Sequence, residues 1–124
     1  MRGKVVNEVD LGGERSFIGA WYLPDLKVCD EIIAFFNEVE GKEPGQIGHD
    51  REVNTEIKDS LDYIVEPQEF SHPVIRKYLI NLFEVTKKYM EKFEAARIVN
   101  PWGLTENINI QYYKPGAGYK HWHT

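Results

Sequence analysis

ENINIQYY at residues 106–113 alternates strictly between polar and apolar side chains, and KPGAG at 114–118 and YKHWHT at 119–124 follow it. This period of two predicts a β-strand with two unlike faces. The apolar face would carry Ile108, Ile110 and Tyr112, and the polar face Asn107, Asn109, Gln111 and Tyr113. The glycine- and proline-rich segment predicts a turn, so residues 119–124 are expected to form the second strand of a hairpin.

Two segments upstream have the spacing of amphipathic helices. The first covers roughly residues 26–40, between Asp25 as N-cap and Gly41, with apolar positions Val28, Cys29, Ile32, Ile33, Phe36 and Val39. The second covers 73–94, with Ser71 as cap and Pro73 in the first turn. Its apolar stripe is Ile75, Tyr78, Leu79, Leu82, Phe83, Met90 and Phe93. Its charged side, which includes Lys77, is expected to face water.

The remaining segments complete an α+β pattern within one predicted domain, residues 1–124. Residues 4–10 are expected to be a strand or an extended arm, 16–23 a strand, 41–54 a surface loop and 57–65 a further strand. We expect both helices to pack their apolar stripes against the sheet that contains residues 106–113.

The composition excludes several classes of protein. The formal charge of −5, from 15 basic and 20 acidic residues, argues against a general nucleic-acid binder. The single cysteine, Cys29, excludes an intrachain disulfide and a cysteine-based zinc site, and it is expected in the core. The sequence contains neither a signal peptide pattern nor an apolar run long enough to span a membrane, so the expected location is cytoplasmic.

His121 and His123 are two residues apart, so on a strand their side chains would share a face. Two imidazoles across a turn from a polar strand suit a divalent metal ion. The alternative is that both histidines are ordinary surface residues. His49 is interpreted as part of a polar loop pair with Asp50, and His72 as a residue at a helix start.

The segment from Asn109 to His123, NIQYYKPGAGYKHWH, is similar to the one that leads into the metal motif of iron(II)- and 2-oxoglutarate-dependent dioxygenases of the prolyl-4-hydroxylase-like group. That family has a strand ending in tyrosine, a Pro-Gly turn, an aromatic residue and then His-x-Asp or His-x-Glu. Two earlier stretches, FIGAWYLPD at 17–25 and KDSLD at 58–62, also resemble the family.

The resemblance implies that two helices pack on the beginning of a double-stranded β-helix, a jelly-roll-like barrel, truncated inside the His-x-Asp/Glu motif. It implies Fe(II) and 2-oxoglutarate as cofactors, with ascorbate as an optional third. His123 corresponds to the first iron ligand and His121 is the alternative choice; no catalytic residue is implied beyond the metal ligands. The cosubstrate-binding residues would be Tyr113, Tyr119, Gln111 and Asn109.

The acidic ligand, the second histidine and the cation that binds 2-oxoglutarate have no counterpart in residues 1–124, so this chain alone is expected to be an inactive fragment of a hydroxylase. Its partners would be a small-molecule cosubstrate and an unidentified substrate, either a protein side chain or a metabolite. We also expect the chain alone either to self-associate through the truncated sheet edge or to be disordered beyond about Lys114. Two other functions stay open: a non-enzymatic interaction module, and a small histidine-based metal-binding protein completed by oligomerisation.

Overall fold

The computed structural model describes residues 5–13, 15–99 and 101–123, and it confirms an α+β fold. The elements are helices α1 (Lys27–Glu38), α2 (Pro73–Lys92) and α3 (Glu94–Arg97) and strands β1 (Glu43–Pro44), β2 (Leu61–Val65) and β3 (Ile108–Tyr112). A 3-10 turn, Pro67–Glu69, follows β2. The chain divides into two compact units: the described residues within 1–34 and 70–105, and those within 35–69 and 106–124. No helix among the described residues is long and apolar enough to cross a membrane.

Helix α1 begins where the sequence predicts. The Asp25 carboxylate accepts a hydrogen bond from the Lys27 N–H at 3.1 Å, as an N-cap side chain does. Val28 and Phe36 are buried on one side of the helix. Cys29 is exposed, so its expected place in the core is wrong. Because successive helical residues are about 100° apart, Val28 turns inward and its neighbour turns outward.

Helix α2 is confirmed, but its cap is His72 rather than Ser71. The His72 ring accepts a hydrogen bond from the Val74 N–H at 3.3 Å, and Pro73 occupies the first turn. The apolar stripe is only partly buried, since Ile75 is 2% exposed whereas Phe83 is 58% exposed. Lys77 does not simply face water, because it pairs with two carboxylates of the same unit, Asp25 and Glu31.

A buried asparagine connects the start of α1 to α2. Asn81 is 2% exposed, its amide oxygen accepts from the Asp25 N–H at 2.9 Å, and its amide N–H donates to the Lys77 carbonyl at 2.9 Å. Both polar ends of this side chain are therefore satisfied, as burial requires.

The predicted strand at 16–23 is wrong. The described N-terminal residues form an extended arm whose pairing with this segment consists of one antiparallel bridge, Glu8 opposite Trp21. Phe17 has a positive φ of 59°, which breaks extended geometry at the second residue of the predicted strand. Lys4, the first residue of the predicted strand or arm at 4–10, lies outside the described residues.

The sheet contains three antiparallel strands in the order β1-β2-β3. β2 and β3 confirm the strands predicted at 57–65 and 106–113, within narrower bounds, and β1 lies inside the predicted loop 41–54. One face of the sheet is apolar, and the last turns of α1 pack against it. The ring centroids of Phe35 and Tyr63 are 5.7 Å apart, and those of Phe36 and Tyr112 are 6.1 Å apart. The opposite face is polar.

The predicted hairpin is wrong, because the turn at 114–118 does not reverse the chain. Leu61 pairs with Tyr112. Lys58, which lies three residues before Leu61, pairs with Tyr119, which lies seven residues after Tyr112. The residues between Tyr112 and Tyr119 loop out of the sheet in a turn. This turn is closed by a hydrogen bond from the Ala117 N–H to the Lys114 carbonyl, with a length of 2.9 Å. The chain then continues beside residues 57–59 in its original direction. Thr124, the end of the predicted strand 119–124, is outside the described part of the chain.

The turn has the sequence that a type II geometry requires. Proline is favoured at its second position and glycine at its third, where φ is positive. Pro115 and Gly116 occupy these positions, and Gly116 has a φ of 85°. A tight turn of this kind can protrude from one strand without changing the direction of that strand. Local composition alone does not distinguish such a turn from the turn of a hairpin.

We expect Ile75→Ala to lower the free energy of unfolding by about 2–5 kcal/mol, because it empties a buried position of α2. Ile80→Ala on the same helix removes a side chain that is 55% exposed, so it should cost less than about 1 kcal/mol. Urea denaturation of both variants measures the difference. Equal losses would contradict the assignment of Ile75 to the core.

Candidate functional site

The polar face of the sheet is built by facing residues of β2 and β3. Asp62 lies opposite Gln111, and Ile64 lies opposite Asn109. In an antiparallel pair, directly opposed residues point to the same side, so these four side chains share a face. Asn109 and Gln111, two of the predicted cosubstrate-binding residues, are therefore brought together over Asp62.

Asp62 is the centre of a hydrogen-bonded cluster on this face. Its carboxylate is only 7% exposed and accepts from the Lys58 ammonium at 3.0 Å and from the Ser60 hydroxyl at 2.7 Å. The Asn109 amide donates to it at 3.1 Å, and the Gln111 amide lies at the outer limit of hydrogen bonding, 3.5 Å. Lys58 is itself only 4% exposed, so the two charges form a buried ion pair.

These partners keep Asp62 ionised. Burial acts to raise the pKa of the Asp62 carboxyl, but the hydrogen bonds from Ser60, Asn109 and Lys58 together outweigh it, so the pKa lies below its ordinary value of 3.8. A carboxylate that is ionised at neutral pH holds the amide N–H groups of the polar face toward itself.

Tyr113 joins the same cluster through Gln111. Its hydroxyl lies 3.4 Å from the Gln111 amide oxygen, a long hydrogen bond in which Tyr113 donates. Gln111 thus has its amide nitrogen directed at Asp62 and its oxygen at Tyr113. The orientation of each polar side chain on β3 follows from the carboxylate on β2.

After the looped-out turn, Tyr119 lies beside Lys58. Backbone hydrogen bonds join the Asp59 N–H to the Gly118 carbonyl at 3.0 Å and the Lys120 N–H to the Ile57 carbonyl at 2.7 Å. The Lys58 ammonium lies 5.8 Å from the centroid of the Tyr119 ring, within the range of a cation–π interaction.

His123 is stacked on Tyr119. The two ring centroids are 3.6 Å apart with an angle of 17° between the planes. The Nδ1 atom of His123 lies 2.8 Å from the His121 carbonyl oxygen, so in the tautomer that donates this bond the Nε2 lone pair is free. Metal-ligating histidines commonly donate their other ring N–H in this way.

His121 takes a different position. Its ring is exposed, and its backbone carbonyl is the acceptor that orients His123. His49 lies in an exposed turn and His72 caps α2, so they occupy the loop and the helix start predicted for them from the sequence. Among residues 5–13, 15–99 and 101–123, no three His, Cys, Asp or Glu side chains are grouped closely enough to hold a metal ion. The described geometry therefore offers one oriented imidazole rather than a complete metal site.

A polar groove of about 490 Å³ opens beside the Asp62 cluster. Its charged lining residues are Glu43, Arg51, Lys58, Asp62 and Glu66, and Asn109 also contributes to it. Both signs of charge line the groove, so its walls suit polar groups better than an apolar ligand.

Lys58 and Asp62 were not among the site residues predicted from the sequence. The signal was present, because Lys58, Ser60 and Asp62 are spaced two apart and residues with that spacing share one face of an extended strand. Their common face, opposite that of Tyr63, indicates the polar side of the sheet, whereas the ion pair itself is seen only in the structure.

Comparisons with protein-family models, with curated proteins and with solved structures give no match to this chain. The assignment of a function therefore rests on the residues and geometry described above.

We expect Gly45→Ala to disturb the cluster from the side of β1. Gly45 is buried and its N–H donates to the Ser60 carbonyl; a Cβ there would lie 2.1 Å from the Ser60 hydroxyl and 2.8 Å from Lys58 Cε. Such overpacking should cost about 1–3 kcal/mol of unfolding free energy in thermal or urea denaturation. Gly118→Ala is the matched control, because a Cβ there meets nothing within 4 Å. A stable Gly45→Ala variant would contradict the close approach.

We expect Asp62→Asn to lower the free energy of unfolding at pH 7 by about 3–5 kcal/mol, since Lys58 would remain buried without its counter-charge. Because the pKa of Asp62 is lowered in the folded chain, this stabilisation is complete above its ordinary pKa of 3.8 and is lost as pH falls through the lower folded value. The difference in unfolding free energy between wild type and Asp62→Asn, measured by urea denaturation, should therefore become smaller only at acidic pH. Asp50→Asn, in an exposed turn, is the control.

Proposed function

We propose that this chain is the N-terminal part of an iron(II)- and 2-oxoglutarate-dependent dioxygenase of the prolyl-4-hydroxylase-like group, a hydroxylase. In this proposal β2 and β3 are early strands of a double-stranded β-helix, and the polar face of the sheet is its interior. The observation that supports it most directly is the orientation of His123, whose Nδ1 atom faces a carbonyl while its Nε2 atom is left for a metal.

In the proposed site His123 is the first Fe(II) ligand. Bound iron with 2-oxoglutarate would supply the oxidising chemistry that hydroxylates a C–H bond, with ascorbate as an optional reductant. The protein's part is to orient the imidazole: the Tyr119 ring supports it from one face, and the His121 carbonyl fixes its tautomer. His121 is the alternative ligand, and its exposed ring is free of this backbone restraint.

The polar face supports the assignment of cosubstrate-binding residues. Asn109, Gln111 and Tyr113 form a row of side chains in which Asn109 and Gln111 both donate to the Asp62 carboxylate and Tyr113 donates to the Gln111 amide oxygen, so the directions of these side chains are defined. Side chains that are already held in one conformation bind a small polar molecule at lower entropic cost than mobile side chains. We propose that 2-oxoglutarate lies over this row with Tyr119 at its edge.

Three components of the proposed site have no counterpart in residues 1–124: the acidic ligand, the second histidine and the cation for the far carboxylate of 2-oxoglutarate. The substrate is either a protein side chain or a metabolite, and its class is not specified by the polar face. A cytoplasmic location and self-association through the truncated sheet edge also stay predictions.

A non-enzymatic interaction module is the second candidate, and an apolar groove in the unit that contains α2 favours it. The groove measures about 390 Å³ and is lined by residues that include Leu82, Phe83, Met90, Trp102 and Leu104. Phe83, Trp102 and Leu104 are each more than half exposed. Exposed apolar side chains grouped in this way are typical of contact surfaces.

The proposal is tested first on the 124-residue chain by nuclear magnetic resonance with Ni(II) as an oxygen-stable surrogate and 2-oxoglutarate. We expect weak metal binding, because one oriented imidazole and one exposed one lack a carboxylate ligand, with broadening centred on His123. Subsequent addition of 2-oxoglutarate should shift the amide signals of Asn109, Gln111 and Tyr113. Binding that leaves these residues unchanged would exclude the proposed site, and tight binding by the chain alone would favour the small metalloprotein.

Activity is tested on the complete product of the gene by following succinate formed from 2-oxoglutarate. His123→Ala should abolish turnover because it removes an iron ligand, whereas His121→Ala should only reduce it, since the His121 carbonyl that orients His123 is retained. His49→Ala, in an exposed turn, is the control and should leave turnover unchanged. The reverse ranking of His121 and His123 would show that His121 is the ligand.

A further inference from the structure

Lys58 connects the buried carboxylate to the segment that carries the candidate metal ligand. Its ammonium lies 3.0 Å from the Asp62 carboxylate and 5.8 Å from the centroid of the Tyr119 ring. Its backbone is paired with that of Tyr119 as well. Lys58 therefore contacts Tyr119 through both its main chain and its charged end.

A lysine side chain would normally move among many rotamers, and Asp62 prevents this. Holding a lysine in one conformation is entropically costly, and here the cost is offset by a buried pair in which the carboxylate also has hydrogen bonds from Ser60 and Asn109. The ammonium beside Tyr119 is thus fixed in position. A fixed cation favours one placement of the aromatic ring, because the attraction falls off with distance and with tilt.

The ring of Tyr119 in turn supports the His123 imidazole at 3.6 Å in a nearly parallel stack. Asp62 holds Lys58, Lys58 contacts Tyr119, and Tyr119 stacks on His123. His123 itself is exposed, and outside this stack its described contact is the single bond to the His121 carbonyl. The direction of its Nε2 atom then depends on where the Tyr119 ring lies.

We infer that Lys58 is a positioning residue for the His123 imidazole, acting through the ring of Tyr119 and held in place by Asp62. This inference rests on the proposed function for its metal, but the placement of the imidazole is independent of any metal. Lys58 has a structural role too, as the counter-charge of Asp62, so the test must separate the two roles.

The double variant Lys58→Met with Asp62→Asn separates them. It removes both buried charges together, so neither is left uncompensated, and replacing a buried pair in this way is often nearly neutral for stability. It also removes the cation from Tyr119. Lys58→Arg keeps a cation that interacts with aromatic rings and serves as the conservative rescue. Tyr119→Leu removes the aromatic ring but keeps the ion pair between Lys58 and Asp62. This variant therefore provides the reference signal of a His123 imidazole that is not stacked.

Lys42→Met is the matched control within the same unit. The Lys42 ammonium lies 5.1 Å from the centroid of the Phe36 ring, so this variant removes a cation from an aromatic ring of α1, away from Tyr119. A general effect of losing a lysine would appear in this variant, whereas an effect through Tyr119 would not.

The readout is the ring-proton shift of His123 in metal-free protein, since stacking on an aromatic ring moves these signals upfield. We expect the double variant to move them to the position found in Tyr119→Leu, and Lys58→Arg and Lys42→Met to keep the wild-type position. Amide shifts of β2 and β3 show that the sheet is intact. Wild-type His123 signals in the double variant with an intact sheet would overturn the inference.

A second measurement links the positioning to metal binding. The Ni(II) concentration that half-broadens the His123 signals should rise roughly 10-fold in the double variant, as for other residues that orient a metal ligand, and stay unchanged in Lys42→Met. If the ring-proton shifts respond as expected while 2-oxoglutarate has no effect on the polar face, the positioning is supported and the dioxygenase proposal fails. If 2-oxoglutarate binds as proposed while the ring-proton shifts do not respond, the positioning inference alone fails.

Discussion

The buried ion pair between Lys58 and Asp62 is the interaction on which the unit formed by residues 35–69 and 106–124 depends. Two charges removed from water must neutralise each other and be surrounded by further hydrogen bonds, or the burial is strongly unfavourable. Ser60, which directly precedes β2, and Asn109 on β3 supply those bonds. Position 45 is a glycine, and a Cβ atom at this position would collide with both Ser60 and Lys58. Strand pairing, the close approach of β1 and the orientation of the polar face are therefore parts of one arrangement.

The same pair explains how an exposed segment of chain is connected to the sheet. The type II turn at 114–118 loops residues out of the ladder, and the backbone resumes its pairing at Gly118 and Lys120. Tyr119 is thereby placed beside the fixed ammonium, and His123 stacks on its ring. A candidate ligand on the surface thus takes its orientation from a charge that is almost completely buried.

Patterns that depend on neighbours in the sequence were predicted well. Both amphipathic helices, the capping role of Asp25, the alternation of 106–113 and the presence of a turn around Gly116 follow from local spacing and from backbone preferences. The errors concern features that local spacing does not fix. The cap of α2 is His72 instead of the predicted Ser71, and the side of α1 on which Cys29 lies depends on the direction in which Val28 is buried.

The sequence by itself determined the periodicity of each element and the set of polar side chains on β3, because side-chain direction along a strand or helix follows from backbone geometry. Only the tertiary structure decided that the turn extrudes from a strand instead of reversing it, since either path satisfies the turn's own hydrogen bond. It also decided that Asp62 is the centre of the polar face. A carboxylate becomes such a centre only when burial removes water and long-range pairing brings donors from β3, and neither condition can be inferred from adjacent residues.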